Sequence, residues 1–406
     1  METYIEKLHV KNIGVFDLLD ISFSPSFNMI IGPNASGKTS ILKAICHCFS
    51  SDKFIYTRVR KNPELWLDAI DKGHKFRIGT MNFVDEDQDY RQFKPVRWGQ
   101  VPREDIEKTY SVTQKVIPYN LLAIGANRDF EYCRIDGMKK ESKGEERRKY
   151  YRDNNIDFIE KPILPGIKQW MINRYFIIDK DWATIERDNW KNVIKMLPEL
   201  SPREIELKFE RIERDLEPAF SINGRNCYLE ELSGGFKSFL SIIFSIVDWC
   251  EGVNEGDSGL IENAEGTILI DEIDAHLHPE WQLKIVENLS NMFPKLQFIV
   301  TTHSPHVITS AKSNQIIRIP DHDGNLLLGP EKKAYKGWKI DYILEELMGF
   351  INTEELSSDE ILQELDNAYG EKDIDKYNKC LSELENVLHP NDPILKVYKI
   401  KRSNLF

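Results

Sequence analysis

Thr267-Ile268-Leu269-Ile270-Asp271-Glu272-Ile273-Asp274-Ala275-His276-Leu277-His278-Pro279 joins an apolar run to two adjacent carboxylates. A short apolar run bounded by turn signals suits a central strand of a parallel sheet, buried on both faces. Charge at the carboxyl end of such a strand lies where open α/β sheets bind ligands. Two neighbouring acids there suit one for a metal and one for a water. A solvated loop start would carry the same residues, so the reading depends on what the rest of the chain supplies.

The first supply lies upstream. Phe27-Asn28-Met29-Ile30-Ile31 reads as a second buried strand, and it runs into Gly32-Pro33-Asn34-Ala35-Ser36-Gly37-Lys38-Thr39, a full match to G-x-x-x-x-G-K-[ST]. A helix is expected from Thr39 to about Phe49, with Ser40 in its first turn and Ile41, Leu42 and Ile45 on one face. The two glycines let the chain wrap so that successive backbone N–H groups face a phosphate, and the helix N-terminus adds partial positive charge. Lys38 then reaches the β- and γ-phosphates, and the Thr39 hydroxyl serves as a ligand to Mg²⁺.

Two further segments complete a nucleotide site. Phe220 to Leu229 reads as a hairpin turning at Asn223-Gly224, and Leu232-Ser233-Gly234-Gly235 follows it at the start of an apolar helix from Phe239 to Trp249. Ser233, Gly234 and Gly235 form a second candidate anion cradle. Leu296-Gln297-Phe298-Ile299-Val300 is another buried strand, ending in Thr301-Thr302-His303-Ser304-Pro305. His303 beside the acidic pair suits contact with a γ-phosphate or the attacking water.

The remainder is less legible. Tyr4 to Phe23 reads as short strands, including Ile13-Gly14-Val15-Phe16, and Lys75 to Phe83 as one more; Val84 to Tyr90 reads as an acidic turn. Ile117 to Arg128 reads as a buried strand and polar turn, where Arg128 could reach a phosphate across an interface or make a local salt bridge. Residues 134–161 mix Lys139, Lys140, Lys143, Arg147, Arg148, Lys149 and Arg152 with glutamates, and the expectation is a solvated insertion rather than a mobile basic flap. Gln169 to Leu216 shows helical periodicity. Ile316–Ile319 and Asn325–Leu328 read as a closing hairpin, whose Asp321-His322-Asp323-Gly324 is a turn rather than a metal site. The chain is expected to end in a helical appendage from Trp338 onward.

Composition sets the outer limits. A net charge of −12 argues against a nucleic-acid binder driven by overall charge, though a local basic groove remains compatible with it. No apolar run approaches the roughly 18 residues of a membrane span. With no secretory leader visible, the expected compartment is the cytoplasm. Cys46, Cys48, Cys133, Cys227, Cys250 and Cys380 fit neither a zinc ribbon nor a disulfide scaffold.

The phosphate loop, Leu-Ser-Gly-Gly, the acidic strand and the strand-end Thr-Thr-His come in an order that resembles the head of ABC-type ATPases, in the branch of RecF and SMC proteins. The stretch Tyr335 to Leu344 is similar to one in ATPase subunits of Septu-type anti-phage defence, a kind also found with some retrons. The resemblance implies an α/β P-loop fold with an N-terminal antiparallel β subdomain, a mixed or parallel core sheet and a helical signature lobe. It implies a head over residues 1–330 (lobes at about 1–95, 96–219 and 220–330) and a helical region over 331–406. It also implies ATP and Mg²⁺, with Asp271 and Thr39 holding the metal, Glu272 as general base and His303 sensing the γ-phosphate. Ser233-Gly234-Gly235 of a second copy would close each site, with Asp274 where the dimer interface crosses.

From the same resemblance come a homodimer, a higher assembly (a dimer or trimer of dimers), an HNH-type nuclease partner, contact with nucleic acid through that complex, and no membrane association. A RecF-like clamp on duplex DNA and a nucleotide-gated scaffold with little turnover are the alternatives. Two residues depart from the family pattern: Phe236 stands where transporters carry Gln, and Ala35 where a Gly is frequent. Gln92, Gln100 and Gln114 are candidates for the glutamine loop.

Overall fold

A computed structural model describes residues 3–50, 59–80, 82–83, 95–96, 106–111, 117, 119–129, 132–161, 165–320, 325–348, 353–388 and 392–403. Gln92, Gln100, Gln114, Val84 to Tyr90 and the Asp321–Gly324 turn lie outside them. The chain divides into two compact units, Met1–Ile343 and Leu344–Phe406.

The centre of the first unit is a sheet of five parallel strands, in the order Ile316–Arg318, Phe27–Ile31, Leu296–Thr301, Gly266–Ile270 and Leu121–Ile124. Every residue of the last four is buried. A strand covered on both faces has no polar face to alternate, which is why these segments read as unbroken apolar runs. The phosphate loop, the acidic pair and the Thr-Thr-His segment therefore all leave the same carboxyl edge.

A second sheet runs Asn325–Leu328, Phe16–Ser22, Tyr4–Ile13, Val59–Asp71, His74–Thr80 and Lys108–Ser111; its four inner strands are antiparallel and its two outer ones pair parallel. Leu8, Val10, Leu19, Leu65, Leu67 and Ile78 turn into the core, which also takes Ile41, Leu42, Ile45 and Phe49 from the helix Lys38–Phe49 and Ile30 and Ile299 from the parallel sheet. That helix is apolar over most of its surface because the core closes around it.

His47 is caught in this environment. Burial, with Lys43 nearby, lowers its pKa to about 3. The unfolded chain takes up a proton near pH 6.5 that the native imidazole refuses. The stability owed to a neutral His47 is therefore complete above about pH 6.5 and is lost as the pH falls toward about 3. Chemical denaturation should show the protein losing about 2 kcal/mol more than His47→Leu between pH 7 and pH 5.

Four expectations are corrected. Only Ile13 and Phe16 of Ile13-Gly14-Val15-Phe16 are strand residues, paired with each other, and Gly14-Val15 is the turn between their strands, with Gly14 at φ 59°. Ile316–Arg318 and Asn325–Leu328 do not pair with each other: the first, with Ile316 and Ile317 buried, joins the parallel sheet, and the second alternates along the edge of the other. The helical stretch after Gln169 stops short of Leu216. Helices Pro165–Ile177 and Thr184–Leu200 give way at Pro202 to a strand, Leu207–Ile212, in a three-stranded sheet with Pro218–Ile222 and Arg225–Tyr228. The expected turn there is present, with Asn223 and Gly224 at φ 50° and 78°.

Residues 134–143 are largely exposed, as a solvated insertion would be, but Glu145–Glu160 is a docked helix rather than insertion or flap. Asn155 accepts from Ala123 N at 2.9 Å and donates to Leu121 O at 3.1 Å, so it covers the open edge of the parallel sheet. The approach is close enough that a Cβ on Gly125 would stand 2.4 Å from Ile159 O. Arg148 donates to Val253 O, and Arg147 pairs with Asp248, so two of the expected free cations are spent on the helix Gly234–Val253.

The second unit packs Thr353–Glu371, Ile374–Val387 and Pro393–Ser403 around Leu365, Tyr377, Leu381, Leu384 and Leu395. Among the described residues no helix is long and apolar enough to cross a membrane.

Candidate nucleotide-binding site

The loop after Phe27–Ile31 is shaped by its backbone. Gly37 sits at φ 96°, and a Cβ there would stand 2.7 Å from Phe16 Cζ and 2.8 Å from Val15 Cγ2. Only glycine allows that conformation under the Phe16 hairpin. Ala35 has φ 61°, a left-handed position that costs an L-residue about 1 kcal/mol. Ala35→Gly should therefore raise the unfolding free energy by roughly 0.5 kcal/mol, after the entropy of the added glycine, with nucleotide affinity unchanged in a titration.

Lys38 is buried at the start of its helix and bridges Gly32 O (2.9 Å) and Pro33 O (2.7 Å) through Nζ. Burial lowers its pKa, while Asp271, Glu272 and Asp274 act in the opposite sense. Ser36 Oγ is buried and has no hydrogen-bond partner among the described residues, so the loop holds an unspent donor. Asn34 and Ala35 are exposed, Pro33 is half-buried, and Ser40 lies in the first turn of Lys38–Phe49.

Thr39 Oγ1 donates to both oxygens of Asp271, at 3.0 and 2.9 Å, so the loop and the acidic strand meet as expected. Thr301 supplies a contact that sequence reasoning missed. Its hydroxyl donates to Asp271 Oδ1 at 2.6 Å and accepts from Glu272 N at 2.7 Å. One hydroxyl therefore orients both acids. The cue was present in Thr301-Thr302 ending an apolar strand, where a polar residue must find a partner.

Glu272 leaves the strand at φ 46°, and its side chain is exposed at the sheet edge while Asp271 is buried. Asp274 accepts from Thr302 Oγ1 (2.5 Å) and from His303 N (3.3 Å), which ties His303 to the acidic turn. Burial first, and then the Lys38 charge, lower the His303 pKa, so the half-buried imidazole is neutral at neutral pH. Ser304 donates to Gln282 Oε1 at 2.7 Å and caps the following turn, fixing the chain beyond His303.

Gly234 and Gly235 pack close to the end of the acidic turn at His276. A Cβ on Gly235 would meet His276 O at 2.9 Å and Trp281 Cζ3 at 3.1 Å. Ser233 and Gly234 are exposed. Phe236, the departure from the transporter pattern, packs edge-on to Trp281 with ring centroids 4.7 Å apart. Among the described residues Arg128 pairs with no carboxylate, and its guanidinium is turned into the fold rather than out toward a phosphate. It is buried and donates to Ser238 Oγ (2.8 Å), Gly125 O (3.1 Å), Asp271 O (3.0 Å) and Glu272 O (2.5 Å).

A metal can be tested against these donors. Among the described residues there is no cluster of three or more His, Cys, Asp or Glu side chains able to hold an ion alone. A hydroxyl and one carboxylate, all oxygen, suit Mg²⁺, which commonly takes one or two carboxylates and completes its shell with waters and substrate phosphates.

Residues 27–309 match the model of a family described as "AAA domain, putative AbiEii toxin, Type IV TA system". The Septu protein PtuA of Bacillus thuringiensis is 28% identical over 408 aligned residues, covering 98% of this chain and 97% of that protein. The Retron Ec83 probable ATPase of Escherichia coli is 30% identical over 225 residues, 55% of this chain and 35% of that protein. Among solved structures, the Smc head domain from Pyrococcus furiosus with an extended coiled coil, bound to the C-terminal domain of ScpA, aligns with a TM-score of 0.48 and 16% identity over 81% of this chain and 96% of that one.

Proposed function

The chain belongs to this AAA-domain family of ATPases, and from that premise we propose that it binds ATP at the loop Gly32–Thr39 and hydrolyses it in a site closed by a second copy. The observation that carries the reading is the hydroxyl of Thr39 held on both oxygens of Asp271, with Lys38 close enough to feel the charges of Asp271 and Glu272.

Phosphoryl transfer to water needs positioning and charge stabilisation more than covalent chemistry. Lys38 exchanges its two loop carbonyls for the β- and γ-phosphate oxygens. Gly32 to Thr39 present backbone N–H groups to the same oxygens. Asp271 and Thr39 would hold Mg²⁺, whose charge would offset that of the phosphates. Glu272, on the exposed side of the strand end, takes a proton from the attacking water. Neutral His303 reports the γ-phosphate through a hydrogen bond and passes its state to Asp274. Exposed Ser233 and Gly234 meet the phosphates of the neighbouring copy.

The near full-length likeness to a Septu protein supports a cytoplasmic ATPase subunit in anti-phage defence. We extend this to dimers built into a higher assembly that governs an HNH-type nuclease, which in turn contacts nucleic acid. The RecF-like clamp keeps only part of its basic stretch, since Arg147 and Arg148 are bonded to the helix Gly234–Val253 while Lys139, Lys140 and Lys149 stay exposed.

Light scattering and phosphate release, with and without ATP and Mg²⁺, test the proposal. Nucleotide-driven association together with phosphate release is expected. An assembly that retains ATP without releasing phosphate would replace the cycle with a nucleotide-gated scaffold.

A further inference from the structure

Arg128 links two parts of the molecule that the proposed function uses for different nucleotides. Its guanidinium is buried and makes all four of its hydrogen bonds to uncharged oxygens. Two of these are the main-chain carbonyls of Asp271 and Glu272, the residues that face the chain's own nucleotide. A third is the Ser238 hydroxyl, one turn into the helix Gly234–Val253 that begins with the signature.

The hydroxyls on that helix complete the connection. Ser238 Oγ donates to Ala275 O at 2.9 Å, beyond the acidic pair, and Ser241 Oγ, which donates to Lys237 O at 2.6 Å, stands 3.2 Å from Arg128 O. The acidic turn, the end of the strand Leu121–Ile124 and the first turns of the signature helix thus share one hydrogen-bonded node. A planar fork with fixed donor directions transmits a shift of the Asp271–Glu272 backbone to whatever its other nitrogens hold. Burial lowers the Arg128 pKa to about 10 while the acids Asp274, Asp271 and Glu272 oppose the shift, so the group stays charged under ordinary conditions.

We propose that Arg128 is a positioning residue that couples the nucleotide bound at a chain's own phosphate loop to the signature helix that the same chain offers its partner. The coupling rests on the two-copy site proposed above. In that site the two nucleotides are not independent, because occupancy at Thr39 and Asp271 alters the helix that serves the other ATP.

The test removes the partner's direct contact and looks for the internal signal. In full-length Ser233→Arg, the added side chain stands at an exposed position and blocks closure on a second nucleotide. Hydrogen exchange is followed with and without ATP and Mg²⁺ in peptides spanning residues 32–39 and 234–244. ATP should slow exchange in the loop and also by about threefold or more in the helix, a change in local opening. Adding Ser238→Ala, or Arg128→Lys as a second variant that keeps the charge but not the fork, should preserve the loop effect and abolish the helix effect.

A merely structural role would shift helix exchange equally with and without ATP, leaving the difference intact, and that result would overturn the coupling. So would protection of the loop with no helix response in Ser233→Arg alone, which needs neither further variant to fold. No protection of the loop would instead remove the nucleotide-site reading, and the coupling with it.

Discussion

Glu272→Gln should lower the turnover number for ATP by about 10²- to 10⁴-fold, the range for losing a positioned general base. The substitution keeps the side-chain shape and leaves Asp271, Thr39 and Thr301 in place, so ATP affinity should stay within about threefold of the parent. Steady-state phosphate release beside equilibrium nucleotide titration separates the two quantities. Because Glu272 is exposed while Asp271 is buried, the change removes no core contact and its melting temperature should match the parent. A variant that hydrolyses ATP at the parental rate would move the base elsewhere in the site.

Lys38→Ala should act at the earlier step and weaken ATP binding by about 10²-fold or more, since charge-assisted bonds to phosphate contribute about 1.5–3 kcal/mol each. Lys38 Nζ bridges Gly32 O and Pro33 O in the folded loop. Alanine leaves two loop carbonyls without that donor and loosens the cradle as well as removing the charge. Calorimetric titration with ATP and Mg²⁺ reads the loss directly. Affinity within about threefold of the parent would show that the loop does not hold the phosphates.

The two changes differ because the sequence places their residues in different structural settings. The phosphate loop was legible since its information is local: the glycines, lysine and threonine act within eight consecutive residues between a strand and a helix. The acidic strand was legible because burial on both faces leaves a continuous apolar run, and its terminal carboxylates break that run. Thr301 and Arg128 were harder, because their partners are set by strand neighbours far away in sequence. Thr301 orients Asp271 only because Leu296–Thr301 lies beside Gly266–Ile270.

Arg128 finds carbonyls rather than a carboxylate, and no charge pattern announces carbonyl acceptors. The helix Glu145–Glu160 misled for a related reason: its charged residues outnumber its apolar ones, yet Tyr151, Asn155, Ile156, Phe158 and Ile159 are buried. Asn155 is buried for its amide, which pairs with a sheet edge, and hydropathy gives no sign of that. Ile316–Arg318 and Asn325–Leu328 are close in sequence, but each pairs with a strand from the first 31 residues. Proximity suggested a hairpin where long-range pairing decided the sheets.

The direct test of a two-copy site is complementation between Lys38→Ala and Ser233→Arg. Each variant alone should be nearly inactive, the first for want of bound ATP and the second for want of a signature that can close. In an equimolar mixture, half of the dimers formed at random are mixed. Each mixed dimer pairs an intact phosphate loop with an intact signature at one site, and because that signature belongs to the chain whose own loop is empty, phosphate release should rise well above either variant alone but to no more than about a quarter of the parental rate. No recovery from two folded, mixing variants would contradict a site shared between copies.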